Sequence, residues 1–469
     1  MEAATVKDSS VVFQTSAGIE IRATLLRLTC YLAVFEVYAL GSNLRTSEIL
    51  DEFRILLNGR PVYSGRAVVK GLVDTGLLVV CEASLEDNWI DLDFSFSGTR
   101  LKEEFQGLIE QWQKLYKVLP EYKVVVADLQ TFLTDLRLWV EQVELGIRSS
   151  PSEDRLELER RLAEEISSST FPFLDSLFER FEGVAASVQP DFRPVHCSYL
   201  HRQIHPLVLC APFAFRTVQK PLGYAGDYEV VNMILRDPHE GGSLYAKVLN
   251  RWFLKQPPAE GHRNRIQYLT QMLIQETVRK SSQHQVARVF NLGCGPAREV
   301  QDFLAQNQVS NEAHFTLLDF NEETLAYAKT ALEAAKTRHG RSTPIHLLKK
   351  SVAHLLKGKG KSTEGGLENQ YDFVYCAGLF DYLTATACKQ LMNIFYDMVA
   401  PGGLLVSTNV DAANPIRNWL GDILEWHLIY RNGQQMLALR PDRAPPENAR
   451  VCADATGVNL FLEIRKPNS

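Results

Sequence analysis

Between residues ~10 and ~98 the apolar positions come in short, β-branched runs. Glu20-Ile-Arg-Ala-Thr-Leu-Leu-Arg-Leu28, Tyr31-Leu-Ala-Val-Phe-Glu-Val-Tyr38, Phe53-Arg-Ile-Leu-Leu57, Ala67-Val-Val-Lys-Gly-Leu-Val73 and Leu77-Leu-Val-Val-Cys81 are separated by turn signals such as Asn58-Gly59 and Asp74-Thr75-Gly76. Five or six strands so closely spaced predict a small barrel. From Leu101 to about Val184 the period changes. Phe105, Leu108, Ile109, Trp112 and Leu115, and later Leu156, Leu158, Leu162 and Ile166, recur at three and four, the spacing of amphipathic helices. Ser149–Asp154 reads as a turn, with Pro151 near the first turn of a new helix. Residues ~190–280 read as mostly helical, and from Val286 strands alternate with helices, the pattern of a parallel sheet flanked by helices. The expected divisions are a barrel (1–100), a helical connector and candidate dimerisation element (101–188), a helical cap (189–280) and an α/β domain (281–469).

Composition narrows the picture modestly. The chain has 469 residues, 45% hydrophobic and 23% charged, as a folded soluble protein does. A net charge of −6 argues against broad contact with nucleic acid or an anionic membrane. The 8 cysteines form no CxxC pair or Cys/His spacing, so no zinc site is expected, and their apolar surroundings fit free thiols in a reducing compartment. Met1–Gln14 has no apolar run after a basic start, and no stretch of about 18 apolar residues occurs, so neither a signal peptide nor a membrane span is expected. A cytoplasmic protein is the expectation. Lys357–Gly366 reads as a surface loop; its glycine spacing does not fit a P-loop, and no strand leads into it.

Candidate chemistry begins at Val289-Phe-Asn-Leu-Gly-Cys-Gly-Pro-Ala-Arg-Glu-Val300, an apolar strand, a glycine turn and a helix. Gly293 and Gly295 let the backbone approach a ligand where a Cβ would clash. About two dozen residues on, His314-Phe-Thr-Leu-Leu-Asp319 is a strand ending in a carboxylate, placed to accept hydrogen bonds from ribose hydroxyls. Phe320 can cover an adenine face. Further strands end at Ser351-Val352 and at Ala377-Gly378, Met398-Val-Ala-Pro-Gly-Gly-Leu-Leu-Val406 turns into a fifth, and Val458–Ile464 suits a closing antiparallel strand. This succession resembles class I methyltransferases, which implies a seven-stranded Rossmann-like sheet and S-adenosylmethionine as cofactor, with S-adenosylhomocysteine as product. The cofactor candidates are Asn291, Gly293, Cys294, Gly295, Arg298, Asp319, Phe320, Asn321, Ser351, Val352, Ala377 and Gly378. Two positions depart from the usual motif: Asn291 stands where an acid is common, and Ala297 where a third glycine is. A dinucleotide dehydrogenase, the structural competitor, would want that third glycine and a sixth parallel strand.

Lys220-Pro-Leu-Gly-Tyr-Ala-Gly-Asp-Tyr228 is the most unusual string, costly to order in a helix and suited to a turn presenting phenols. With NLGCGPAREV, CAGLFDYL (Cys376–Leu383) and EWHLIYR (Glu425–Arg431), it resembles a bacterial methyltransferase family associated with biosynthesis of extracellular-factor 3-hydroxypalmitic acid methyl ester. The resemblance covers residues ~190–469 and implies a fatty or hydroxy-fatty carboxylate as acceptor. The barrel resembles PilZ-like domains, but the RxxxR pair of that family is missing, since Leu26 follows Arg22 at the fourth position, and cyclic di-GMP binding is not expected.

A carboxylate acceptor is already ionised near pH 7 and needs no base, only donors or a cation to hold it. Arg216, His205, Arg431, Tyr224, Tyr228, Tyr382 and Tyr430 are candidates. A hydroxyl or amine acceptor would want a base, and Asp381 or His205 could serve. The catalytic set expected is Asp381, Tyr382, Tyr224, Tyr228, His205 and Arg216; His427 reads as a core histidine. The alternatives are O- or N-methylation of another small metabolite, or a regulatory scaffold that senses the cofactor through the sheet domain and contacts partners through the barrel.

Overall fold

In the computed structural model, residues 9–15, 18, 20–29, 31–37, 44–57, 60–74, 79–86, 118–148, 155–357 and 370–468 are described. The turns at 58–59 and 75–76, the helical pattern at 105–115, the turn at 149–154 and the loop at 358–366 lie outside the described residues.

Strands β1 (Ser9–Gln14), β2 (Glu20–Leu28), β3 (Leu32–Val37), β4 (Ile49–Leu57), β5 (Arg60–Asp74) and β6 (Val79–Leu85) close into an antiparallel barrel in the order β1-β2-β3-β6-β5-β4. Closure follows from the alternation in sequence: one face of each strand carries the apolar side chains inward. Phe13, Phe35 and Phe53 meet there with ring centroids 5.4–5.8 Å apart.

Helices α1 (Pro120–Arg148) and α2 (Arg155–Ala186) pack against α3 (Arg193–Val208), α4 (Pro212–Gln219), α5 (Tyr228–Leu235), α6 (Leu244–Lys255) and the long α7 (Pro257–Ser281). Connector and cap share one apolar core: Leu129 and Leu133 of α1, Phe178 and Phe181 of α2, Ile204 of α3 and Trp252 of α6 are all buried in it. Trp252 lies 4.4 Å from Phe178 and 5.5 Å from Trp419, centroid to centroid. No described helix is long and apolar enough to cross a membrane.

The C-terminal region runs β7 (Ala287–Leu292), α8 (Arg298–Gln306), β8 (Ala313–Asp319), α9 (Glu322–His339), β9 (Ile345–Lys349), α10 (Val352–Lys357), β10 (Tyr371–Cys376), α11 (Ala385–Met398), β11 (Val399–Val410), α12 (Arg417–Asp422), α13 (Gly433–Ala438), β12 (Ala449–Ala453) and β13 (Asn459–Arg465). Its sheet is ordered β12-β13-β11-β10-β7-β8-β9, parallel from β9 to β11, with β13 antiparallel to β11 and to β12. The chain winds one way from β7 through β8 to β9, then crosses to β10 on the other side of β7. That reversal opens a crevice at the carboxyl ends of β7 and β10, where α/β sheets bind ligands.

Candidate functional site

The glycine turn leaves β7 at that crevice. Gly293 and Gly295 have φ of +75° and +52°, and nothing lies within 4 Å of where a Cβ on Gly295 would sit. The turn therefore offers bare backbone to a ligand, as its sequence predicts. Asp319, buried at the end of β8, accepts from Gly295 N at 3.2 Å and from Asn321 N at 3.0 Å. Burial pushes its carboxyl up, while those amides and Arg45 pull it back toward the ionised form. Asn291 Nδ2 donates to Tyr375 O at 3.2 Å, and its buried Oδ1 has no protein partner.

Asn291, Gly293, Cys294, Gly295, Arg298, Asp319, Phe320, Val352, Ala377 and Gly378 line one cavity with Asp381, Tyr382, Tyr224 and Tyr228. It encloses about 1690 Å³, its open mouth included. Six of the sequence candidates are not among its lining residues: His205, Arg216, Asn321, Ser351, Tyr430 and Arg431. His205 Nε2 donates to Ile423 O at 2.8 Å and its ring stacks on His201. Arg216 is committed to Asp227, donating from Nη2 at 2.8 Å. Asp227 in turn caps α5 by accepting from Glu229 N and Val230 N, so this pair fixes the cap turn. Asn321 caps α9, accepting from Thr324 N at 2.9 Å. Ser351 gives way to its neighbours Lys350 and Val352 in the lining.

The cavity also recruits residues outside the expected cofactor and catalytic sets. Arg265, on α7, is half-buried, and its guanidinium lies 3.1 Å from where a Cβ on Gly378 would be. Burial lowers its pKa; Asp381, Tyr382 and Glu299 act against that. Its Nη2 donates to His262 Nδ1 at 2.9 Å, and burial beside Arg265 holds that imidazole neutral. A half-buried cation lining the cavity here fits a carboxylate, and between the glycine turn and Gly378 the methionine end of S-adenosylmethionine would bring one. The open Gly295 backbone, the orphaned Asn291 oxygen, the buried Asp319 and Arg265 together fit that cofactor. Only the strand-to-helix spacing is readable in sequence; Arg265 sits in a polar helical stretch with no motif of its own.

At the cap side, Trp426 Nε1 donates to Tyr382 Oη at 2.8 Å. A Cβ on Gly226 would fall 2.6 Å from that oxygen and 3.0 Å from Trp426 Cζ2, so the second glycine of KPLGYAGDY is what lets the cap turn lie over this pair. Asp381 accepts from Val410 N at 2.7 Å, and burial pushes its carboxyl up to about 6. Arg431 is buried and donates to Phe380 O at 2.7 Å and Leu383 O at 2.6 Å, bracketing the Asp381–Tyr382 turn rather than facing a ligand.

Residues 290–405, from β7 through most of β11, match the family model of a methyltransferase domain. This segment is a methyltransferase domain. Comparison with curated proteins gives no match. Among solved structures the chain is similar to the N-methyltransferase NodS of Bradyrhizobium japonicum in complex with S-adenosyl-L-homocysteine, at 16% identity over 51% of this chain and 98% of that one, TM-score 0.30. It is similar to magnesium protoporphyrin IX methyltransferase of Synechocystis, at 10% identity over 50% and 90%, TM-score 0.33. An O-methyltransferase family protein of Burkholderia thailandensis matches at 11% identity over 80% and 100%, TM-score 0.35. At these scores the overlays carry no detail of the methyltransferase site, which stands on its own geometry.

Proposed function

We propose that the protein transfers a methyl group from S-adenosylmethionine to the carboxylate of a fatty or hydroxy-fatty acid. The observation that carries this is the continuity of the cavity. From the glycine turn and Asp319 it runs past Tyr382 to an apolar wall built from Phe213, Val231, Ile234 and Phe253 of the cap and Trp419, Leu420, Leu424 and Leu428 of the C-terminal region. Such a wall suits an acyl chain, with polar groups at one end to orient the head.

Bound, the cofactor supplies a methyl on a sulfonium; the acceptor oxygen bonds to that carbon as the carbon–sulfur pair leaves on sulfur, giving a methyl ester and S-adenosylhomocysteine. The chain's own residues position and enclose. Burial holds the Tyr382 phenol well above its ordinary value, so it stays protonated. With the Trp426 N–H on one of its lone pairs, its own proton is turned to an acceptor oxygen. Tyr224 is likewise held protonated by burial. The apolar cap wall keeps water from competing. A carboxylate acceptor asks for no base. A hydroxyl acceptor would, and Asp381, titrating near 6, is the carboxylate in reach.

The test is turnover of the full chain with S-adenosylmethionine and a chain-length series of fatty and 3-hydroxy fatty acids, beside amines, alcohols and phenols. Methyl ester formation that improves with chain length is the expected result. Transfer to nitrogen or hydroxyl oxygen, or indifference to chain length, would refute the carboxylate assignment. Cofactor binding with no turnover on any class would favour the sensing role.

A further inference from the structure

We propose that Arg45, carried by the N-terminal barrel, is a cofactor-binding residue that closes the adenosine half of the methyltransferase site. This deepens the reading above and rests on it, since it takes the adenosine to lie by Asp319 and Phe320.

The barrel does not stand apart from the sheet domain. Its segment Leu44–Glu48, which leads into β4, is buried against the cap. Ile49 N donates to Gly223 O at 2.8 Å, and Ser47 Oγ donates to Glu425 O at 3.1 Å and to His427 O at 3.0 Å. Arg45 sits in this clamped segment. It is 7% exposed, lines the same cavity as Asp319 and the glycine turn, and holds its guanidinium carbon 4.0 Å from the centroid of the Phe320 ring. Tyr224, from the cap turn, approaches the same ring at 5.4 Å. The barrel and the cap turn thus converge on the residue that follows Asp319. The charge on Arg45 is felt there: burial raises the pKa of both Asp319 and Tyr224, and Arg45 opposes that rise at each.

Two consequences follow from an arginine so placed. Its planar cation can stack with an aromatic base as it does with Phe320, and it helps keep Asp319 ionised for ribose hydroxyls. Because the segment is fixed to the cap through Ile49 and to the C-terminal domain through Ser47, binding of the adenosine half and docking of the barrel must stabilise each other.

The experiment is calorimetry on the full chain, wild type, Arg45→Ala and Arg45→Lys, with two probes: S-adenosylhomocysteine, and methylthioadenosine, which lacks the amino-acid half. Arg45→Ala should weaken both probes by a similar factor, about 3- to 30-fold, the range for a desolvated cation–π contact. Arg45→Lys, which keeps the charge but not the plane, should lose less. In the wild type, S-adenosylhomocysteine should slow amide exchange at Ile49, and the slowing should shrink in Arg45→Ala. Thermal unfolding without ligand checks that the variants fold; the Ser47 and Ile49 clamps are untouched by them. Wild-type affinity for both probes in Arg45→Ala overturns the proposal, as does a loss confined to S-adenosylhomocysteine. A wild type that binds neither probe would instead overturn the cofactor reading beneath it.

Discussion

Replacing Tyr382 with Phe isolates the group assigned to hold the acceptor. The change deletes one oxygen and keeps the ring. In the structure that oxygen is the partner of Trp426 Nε1 at 2.8 Å, in a side chain 9% exposed. Two losses follow. The indole N–H is left without its partner in a largely buried place, costing about 1–3 kcal/mol of stability. The hydrogen bond to the acceptor is lost as well, and a contact of the same scale corresponds to about a 5- to 150-fold fall in kcat/KM. Cofactor affinity should stay within about twofold, because the Asp319, Gly295 and Arg265 end is untouched. Turnover of the preferred acceptor, calorimetry with S-adenosylhomocysteine and thermal unfolding measure the three quantities separately. In a Trp426→Phe background the stability cost of Tyr382→Phe should shrink, since no N–H remains to be orphaned. Unchanged kcat/KM in Tyr382→Phe would refute the role given to this phenol.

Gly226→Ala should lower stability by about 1–3 kcal/mol and depress turnover while sparing cofactor affinity, because its Cβ would lie 2.6 Å from Tyr382 Oη; thermal unfolding and turnover read both, and an unchanged protein would show that the cap turn yields freely. At the barrel–cap joint, Glu86 is raised to about 8 by burial and by the nearby Glu425, against the pull of Arg66 and Lys220. Its folded pKa lies above the unfolded one, so its contribution is fully present below about 4.3, declines as pH rises, and is gone once pH passes about 8. Glu86→Gln should therefore flatten the fall in Tm between about pH 5 and 8; an identical profile in the variant would contradict the raised Glu86 pKa. For a carboxylate acceptor, Asp381→Asn should leave no acid limb near pH 6 to remove, whereas a limb near 6 that disappears in the variant would mark Asp381 as a base.

The sequence declared some of this and concealed the rest for physical reasons. The glycine turn and Asp319 were legible because close backbone approach and a strand-end carboxylate constrain residue type at fixed spacing. The barrel was legible from short β-branched runs between turn residues. β12, Ala-Arg-Val-Cys-Ala, was not placed, since a five-residue edge strand carries too little alternation to stand out. His205 and Arg216 were drawn toward the chemistry by residue type, yet one bonds a backbone carbonyl and the other holds a helix cap. Arg265, Arg45 and Trp426 carry no site role in the sequence because they come from three separated parts of the chain. Only folding brings them to one cavity, and no local spacing records that. KPLGYAGDY is conspicuous in sequence, but its parts are assigned only by the fold: Gly223 meets the barrel, Gly226 makes room for Tyr382 and Trp426, and Asp227 caps a helix.

The most direct measurement is calorimetric titration of the full chain with S-adenosylmethionine and S-adenosylhomocysteine, repeated on Asp319→Asn and Asp319→Ala. Saturable binding of both ligands at one site per chain is the expected result. Binding should be weakened by about 1–3 kcal/mol in Asp319→Ala, the scale of a charged hydrogen bond. Loss in Asp319→Asn, which can still accept from the Gly295 amide, would tie the effect to the charge. No binding of either ligand to the wild type would contradict the cofactor site, and equal affinity in all three proteins would contradict the part given to Asp319.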